Sequence, residues 1–118
     1  MSIWLANLGA VITAILGALA LVRPGMSAAM VGLAPRGALG LAEIRASLGG
    51  LFLALGLACL LTQHPIIFTV AGIAWLGAAA GRLVSIPLDG GWQRENAGGL
   101  AVEAGTGLLL LAGGPVLS

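Results

Sequence analysis

Charge is what this sequence most conspicuously lacks. Only 8% of its 118 residues are Asp, Glu, Lys or Arg, against about 25% in a soluble globular domain. Five basic and four acidic side chains cannot cover the surface of a water-soluble domain of this size. The shortage excludes an ordinary cytosolic enzyme and a disordered tail, and with no basic patch it excludes a nucleic-acid binder. Lysine and tyrosine are absent, and cysteine and histidine occur once each. Cys59 lies in an apolar run and has no internal disulfide partner. One cysteine and one histidine leave no basis for a metal site, and no cofactor is expected. His64 stands apart from every acid in the chain, so no Ser/His/Asp set forms. No glycine run is followed by the lysine of a phosphate-binding loop.

What fills the chain instead is apolar: 59% hydrophobic residues, 20 glycines and a mean hydropathy of +1.11. This is the composition of a membrane protein. A spanning helix needs about 20 mostly apolar residues. We read residues 1–118 as a single transmembrane domain, an all-α bundle of four transmembrane helices at about 3–22, 41–61, 66–86 and 98–113. The first segment has no basic residue before its apolar run and is read as a retained span, not a cleaved signal. It ends at Arg23-Pro24-Gly25. The connection over 24–41 is apolar in its middle but too short to span, so a short interfacial helix is expected there, broken by Pro35-Arg36-Gly37. Thr62-Gln63-His64-Pro65 reads as a tight turn, with Pro65 suited to a first helical turn. Pro87 is expected to stop the third span, Asp89-Gly90-Gly91 to turn the chain, and Pro115 to close the fourth.

Small residues recur every four positions: Ala6, Ala10, Ala14 and Ala18 on span one; Ala42, Ala46, Gly50, Ala54 and Ala58 on span two; Ile73, Gly77, Gly81 and Ser85 share a face on span three. In a bilayer such stripes favour close backbone approach, because van der Waals packing replaces hydrophobic attraction between helices. The arginines set an orientation. Arg23, Arg36 and Arg45 belong to the first connection and its edges, Arg82 and Arg94 to the third. The positive-inside rule puts both connections in the cytoplasm and both termini, with His64, in the periplasm. Trp92 reads as an interfacial anchor and Trp4 lies near the outer interface, and the three tryptophans Trp4, Trp75 and Trp92 read as anchors or packing.

All four acids fall at the arginine-bearing edge, and the opposite edge has no charged side chain. Arg82 lies five residues before Pro87, and Glu103 five after Gly98. At 1.5 Å per residue each is roughly 7–8 Å into its span, and antiparallel spans put them at one depth. Glu43 and Arg45 open span two on the same side. The expectation is a cluster of Glu43, Arg45, Arg82, Asp89 and Glu103. Pairing is favoured because an isolated charge at mid-membrane costs about 2.5–3.5 kcal/mol on insertion scales. The cluster carries a formal excess of one acid, which invites a protonated carboxyl or a bound cationic or hydrogen-bonding ligand. Two roles stay open: tying helices together, or holding a ligand. Glu103 with Asp89 could act as acid and base, but no reaction is specified and an enzyme is not expected.

Glu43-Ile44-Arg45-Ala46-Ser47-Leu48-Gly49-Gly50, followed by Gly81-Arg82, Asp89-Gly90 and Glu103, resembles the bacterial membrane-protein family called domain of unknown function 4345. The resemblance covers about residues 3–112. It implies four transmembrane helices in the bacterial inner membrane, no established activity, and patterned charged positions at Glu43, Arg45, Arg82, Asp89 and Glu103. The family often has an aromatic residue before the glycine pair, where this chain has Leu48. A fainter likeness to DoxX-type four-helix bundles is one of fold alone. The expected function is that of a small inner-membrane protein whose charge cluster fastens helices and binds a lipid, a quinone or another small polar or amphiphilic ligand. The alternative is an accessory subunit of a membrane complex, or a homo-oligomer, docking through its small-residue stripes. The bilayer is the expected partner, and nucleic acid is not.

Overall fold

A computed structural model describes residues 2–90 and 92–117. The described residues contain helices and turns and no strand. Helix α1 is Ile3–Val22. Ser2 caps it by accepting the Leu5 N–H at 3.3 Å, which satisfies one of the free donors of the first turn. A short α2, Pro24–Met30, follows at once, with Pro24 in the first-turn position where its missing N–H is no loss. Helix α3 is Gly37–Thr62, α4 is Pro65–Asp89 and α5 is Arg94–Leu111. A final single turn, Pro115–Leu117, closes the described chain.

Three of these helices, α1, α3 and α4, are long and apolar enough to cross a membrane. Their flanks carry large apolar side chains in the open, such as Leu39, Leu61 and Leu88, as expected of helices that meet lipid. Trp4 and Trp92 are 84% and 82% exposed. Helix α5 is not among the three: Arg94, Glu95 and Glu103 interrupt its apolar run. It begins at Arg94 and ends at Leu111, where apolarity alone predicted about 98–113. Its polar first turn is helical because Glu95 there complements the positive N-terminal end of the helix dipole.

Helices α1 and α3 pack closely, and glycine makes the contact possible. A Cβ on Gly56 would fall 2.6 Å from the Ala14 backbone nitrogen, and one on Gly49 would fall 2.9 Å from Leu21 Cγ. Gly17 lies against the Leu53 backbone in the same way. On α1 the predicted stripe meets this contact: Ala6 and Ala10 are fully buried and Ala14 faces Gly56. On α3 the predicted stripe is wrong, since Ala42, Ala46 and Ala54 are exposed and the packed face is Ile44, Gly49, Gly56 and Cys59.

A π-helical segment, Arg45–Gly50, also interrupts α3. Its wider turn lets residues five apart share a face, so Ile44 and Gly49 are both buried. A four-residue pattern assumes an unbroken α-helix and loses phase here. The face predicted for α4 also points outward. Ile73 is exposed, and nothing lies within 4 Å of a Cβ on Gly77 or Gly81. The glycines that let α4 and α5 touch are Gly72 and Gly107: a Cβ on Gly72 would sit 2.9 Å from the Gly107 carbonyl.

Pro87 does not stop α4, which continues to Asp89. The proline lacks the N–H that would bond the Leu83 carbonyl, so the helix gives up that one bond and carries on for two more residues. Gly90, left-handed at φ 68°, ends the helix, and its N–H bonds the Ile86 carbonyl. Gly91 of the predicted turn lies outside the described residues. At the other end of the molecule, Gln63 (φ 52°) turns the chain and His64 Nδ1 accepts the Ile66 N–H, with Pro65 in the first turn. The Asn7 and Gln63 amides bond reciprocally there, at 2.9 and 2.6 Å. The Ser2 N–H bonds the Ala112 carbonyl at 2.7 Å, so the start of α1, the α3–α4 turn and the end of α5 assemble at one end. Every charged side chain lies toward the opposite end.

The core is built from Ala6, Ala10, Cys59, Phe68, Ala71, Trp75 and Leu110. Trp75 meets the Phe52 ring at 5.0 Å between centroids. Its indole N–H donates to Thr13 Oγ1 at 2.9 Å, and the Thr13 hydroxyl donates to the Gly9 carbonyl at 2.8 Å. The buried polar atoms of both side chains are thereby satisfied.

Candidate functional site

On the charged end, α4 presents Arg82 to a face of α5 made by Asn96, Gly99 and Glu103, spaced three and four residues apart as one helical face requires. Arg82 Nε donates to Glu103 Oε1 at 2.7 Å and Nη2 to Oε2 at 2.9 Å, a forked contact that matches guanidinium to carboxylate. Nη1 donates to Asn96 Oδ1 at 2.7 Å. The side chains of Arg82 and Glu103 are 23% and 14% exposed. Gly99 leaves the space in which the guanidinium lies, since a Cβ there would come 2.6 Å from Arg82 Cζ.

The structure brings Arg82 and Glu103 together and leaves the other three expected members apart from them. Among the described residues theirs is the one ion pair. Glu43 is exposed. Arg45, also exposed, donates instead to the Leu21 carbonyl and so covers the C-terminal end of α1. Asp89 accepts the Ser85 hydroxyl at 2.6 Å within its own helix. The five-charge cluster is therefore a pair. The reason is spatial: a cavity separates α3 from α4 at this end, and Arg45 turns toward α1.

That cavity has a volume of about 900 Å³, within the roughly 300–1,000 Å³ of sites for small ligands. Arg82, Asn96 and Glu103 form part of its wall, with Gln93 and Glu95 from the start of α5. Leu16 of α1, Leu48 and Phe52 of α3, and Trp75 of α4 form the apolar part. Ser27 of α2 and the following residues 29–33 close another side. Leu48 lies in the π-helical segment, which thus contributes directly to the wall.

Sequence reasoning missed Asn96 and Gly99. The signal was present, because both share the helical face of Glu103, but it can be seen only once α5 is known to start before residue 96. Among the described residues no group of three His, Cys, Asp or Glu side chains is placed to hold a metal ion. The arrangement can bind and orient a molecule with one polar and one apolar part. Taken together, the fold and this wall describe an all-α protein with three membrane-length apolar helices and a half-polar cavity at its charged end. Comparison with protein-family models, curated proteins and solved structures gives no match to this chain.

Proposed function

We propose that the chain is a small inner-membrane protein of a bacterium, in which α5 completes a four-helix transmembrane bundle, α2 lies at the interface, and the cavity binds an amphiphile from the cytoplasmic leaflet. The likeness to the family called domain of unknown function 4345 is part of this reading. The observation that carries it is the placement of the Arg82–Glu103 pair on the polar side of a cavity whose other side is Leu16, Leu48, Phe52 and Trp75. The pair supports a structural role at the same time, because it fastens α4 to α5 at the depth where neither charge is tolerated alone. With Glu103 on one side and lipid on the other, α5 enters the bilayer without an uncompensated charge at that level. The arginines at the charged end support a cytoplasmic placement for it, with both termini periplasmic. A lipid, a quinone or another small amphiphile satisfies the description.

Native mass spectrometry of the protein extracted from membranes tests this. One amphiphile per chain is expected to survive in the wild type and to be lost in Ala78→Phe, where a ring on the cavity wall fills the space. A wild-type chain free of bound amphiphile, or adducts that ignore the substitution, would overturn the reading. A second reading, an accessory subunit or homo-oligomer, is favoured by one observation. Gly77 and Gly81 are open on α4 with nothing within 4 Å, a surface smooth enough for another helix. The same spectra distinguish it, since it requires a second chain in the released particle.

A further inference from the structure

The cavity wall carries a charge pattern that chooses among amphiphiles. Its formally charged members are Arg82, Glu95 and Glu103, one positive and two negative. The positive charge is already spoken for: Glu103 engages two of the guanidinium's five N–H donors and Asn96 a third. Two N–H donors remain. Ser27 borders the same cavity, and its hydroxyl oxygen is buried with no hydrogen-bond partner. Gln93 adds an amide. Donors are therefore in supply, while the net charge of the wall is negative.

Resting on the reading of this cavity as an amphiphile site, we propose that its ligand is a single-tailed amphiphile with an uncharged, hydrogen-bond-accepting head, carrying carbonyl, ester or hydroxyl oxygens. The head takes the spare guanidinium N–H groups beside the Gln93 amide, and the tail lies along Leu16, Phe52 and Trp75. An anionic head must either displace Glu103 from its forked contact or enter beside an uncompensated carboxylate. A cationic head is attracted by Glu95 but offers the spare donors no acceptor, so they stay unbonded. One tail is enough for a cavity of about 900 Å³, a volume in the range of small-molecule sites.

The test uses the full chain in phosphatidylcholine nanodiscs with the exposed Trp4 and Trp92 replaced by Phe, leaving Trp75 in the cavity wall as the one indole. Three probes share one tail brominated near its end, where bromine quenches indole on contact: a monoacylglycerol, an alkyl sulfonate and an alkyl trimethylammonium. The monoacylglycerol is expected to quench saturably and to bind about tenfold tighter than the sulfonate. That is the order of effect of one unit charge roughly 10 Å away at the effective dielectric of a protein site. Glu95→Gln is expected to narrow the ratio severalfold, and Ala78→Phe to abolish the saturable component. A sulfonate or ammonium probe that binds as tightly as the glyceride overturns the choice of head while leaving the cavity as a site. Quenching that never saturates, or that persists unchanged in Ala78→Phe, overturns the site itself and this inference with it.

Discussion

The Arg82–Glu103 contact makes a quantitative prediction through a double-mutant cycle. Breaking a fully buried ion pair by removing one partner costs about 3–5 kcal/mol, because the other charge is left uncompensated. Here the arginine side chain is 23% exposed and the glutamate 14%, so water and headgroups recover part of that loss. Glu103→Leu is therefore expected to destabilise the fold by roughly 2–3 kcal/mol, and Arg82→Leu by a similar amount. Replacing both removes the uncompensated charge, and apolar replacement of a whole pair is often neutral. The double variant should lie within about 1 kcal/mol of the parent, giving a coupling of about 3 kcal/mol or more. Arg82→Lys should lose about half of it, since an ammonium cannot make the forked contact while Asn96 holds a third donor. The assay is reversible unfolding in mixed micelles of dodecyl sulfate and maltoside, followed by far-ultraviolet circular dichroism for all four proteins. Additive single variants, with coupling within about 0.5 kcal/mol, would refute the reasoning. They would show each charge solvated on its own and the bundle indifferent to the contact.

Other substitutions separate the remaining claims. Gly56→Ala places a methyl against the Ala14 nitrogen and, at 2.8 Å, the Ala10 carbonyl. These backbone atoms cannot yield, so a loss of about 1–3 kcal/mol is expected in the same unfolding assay. Gly77→Ala meets open space and should be neutral or stabilising, by up to about 1 kcal/mol from helix propensity. Thr13→Val strands the Trp75 N–H in the core and should cost about 1–3 kcal/mol. Thr13→Ser, which keeps the acceptor, should cost less, and thermal denaturation ranks the two. Gly99→Ala pushes on the guanidinium and should lower the Arg82–Glu103 coupling in a repeated cycle without unfolding the chain.

The parts of this structure that were legible in the sequence are those governed by local chemistry. The bounds of α1 follow from an apolar run closed by Arg23 and Pro24, and the turn at 62–65 follows from Pro65 and the polar residues before it. The meeting of Arg82 with Glu103 follows from counting residues along two antiparallel helices. What was not legible depends on phase and on neighbours. The π-helical segment has no composition of its own, and it puts five residues between the buried Ile44 and Gly49 where an α-helix would put four. Pro87 reads as a stop, but it costs the helix one bond and α4 runs on to Asp89. The expected charge cluster failed because edge position fixes depth but not direction around the helix. Arg45 found the end of α1 and Asp89 found Ser85. Ser27 and Gln93, which share the cavity wall, have no sequence mark at all.

The surplus residue in α3 has a consequence for how this chain can change. Deleting any one position between Arg45 and Gly50 would let the segment close into ordinary α-helical bonding, locally the better-made structure. The α-helical stretches on either side would keep their facing, because five residues of the wider turn and four of an ordinary one cover about the same arc. Ile44 and Gly49 would then stand four apart and still share the buried face. A one-residue deletion elsewhere in the helix has no such slack and turns everything before it by about 100°. The π-helical segment is therefore where α3 can lose a residue and keep its packing.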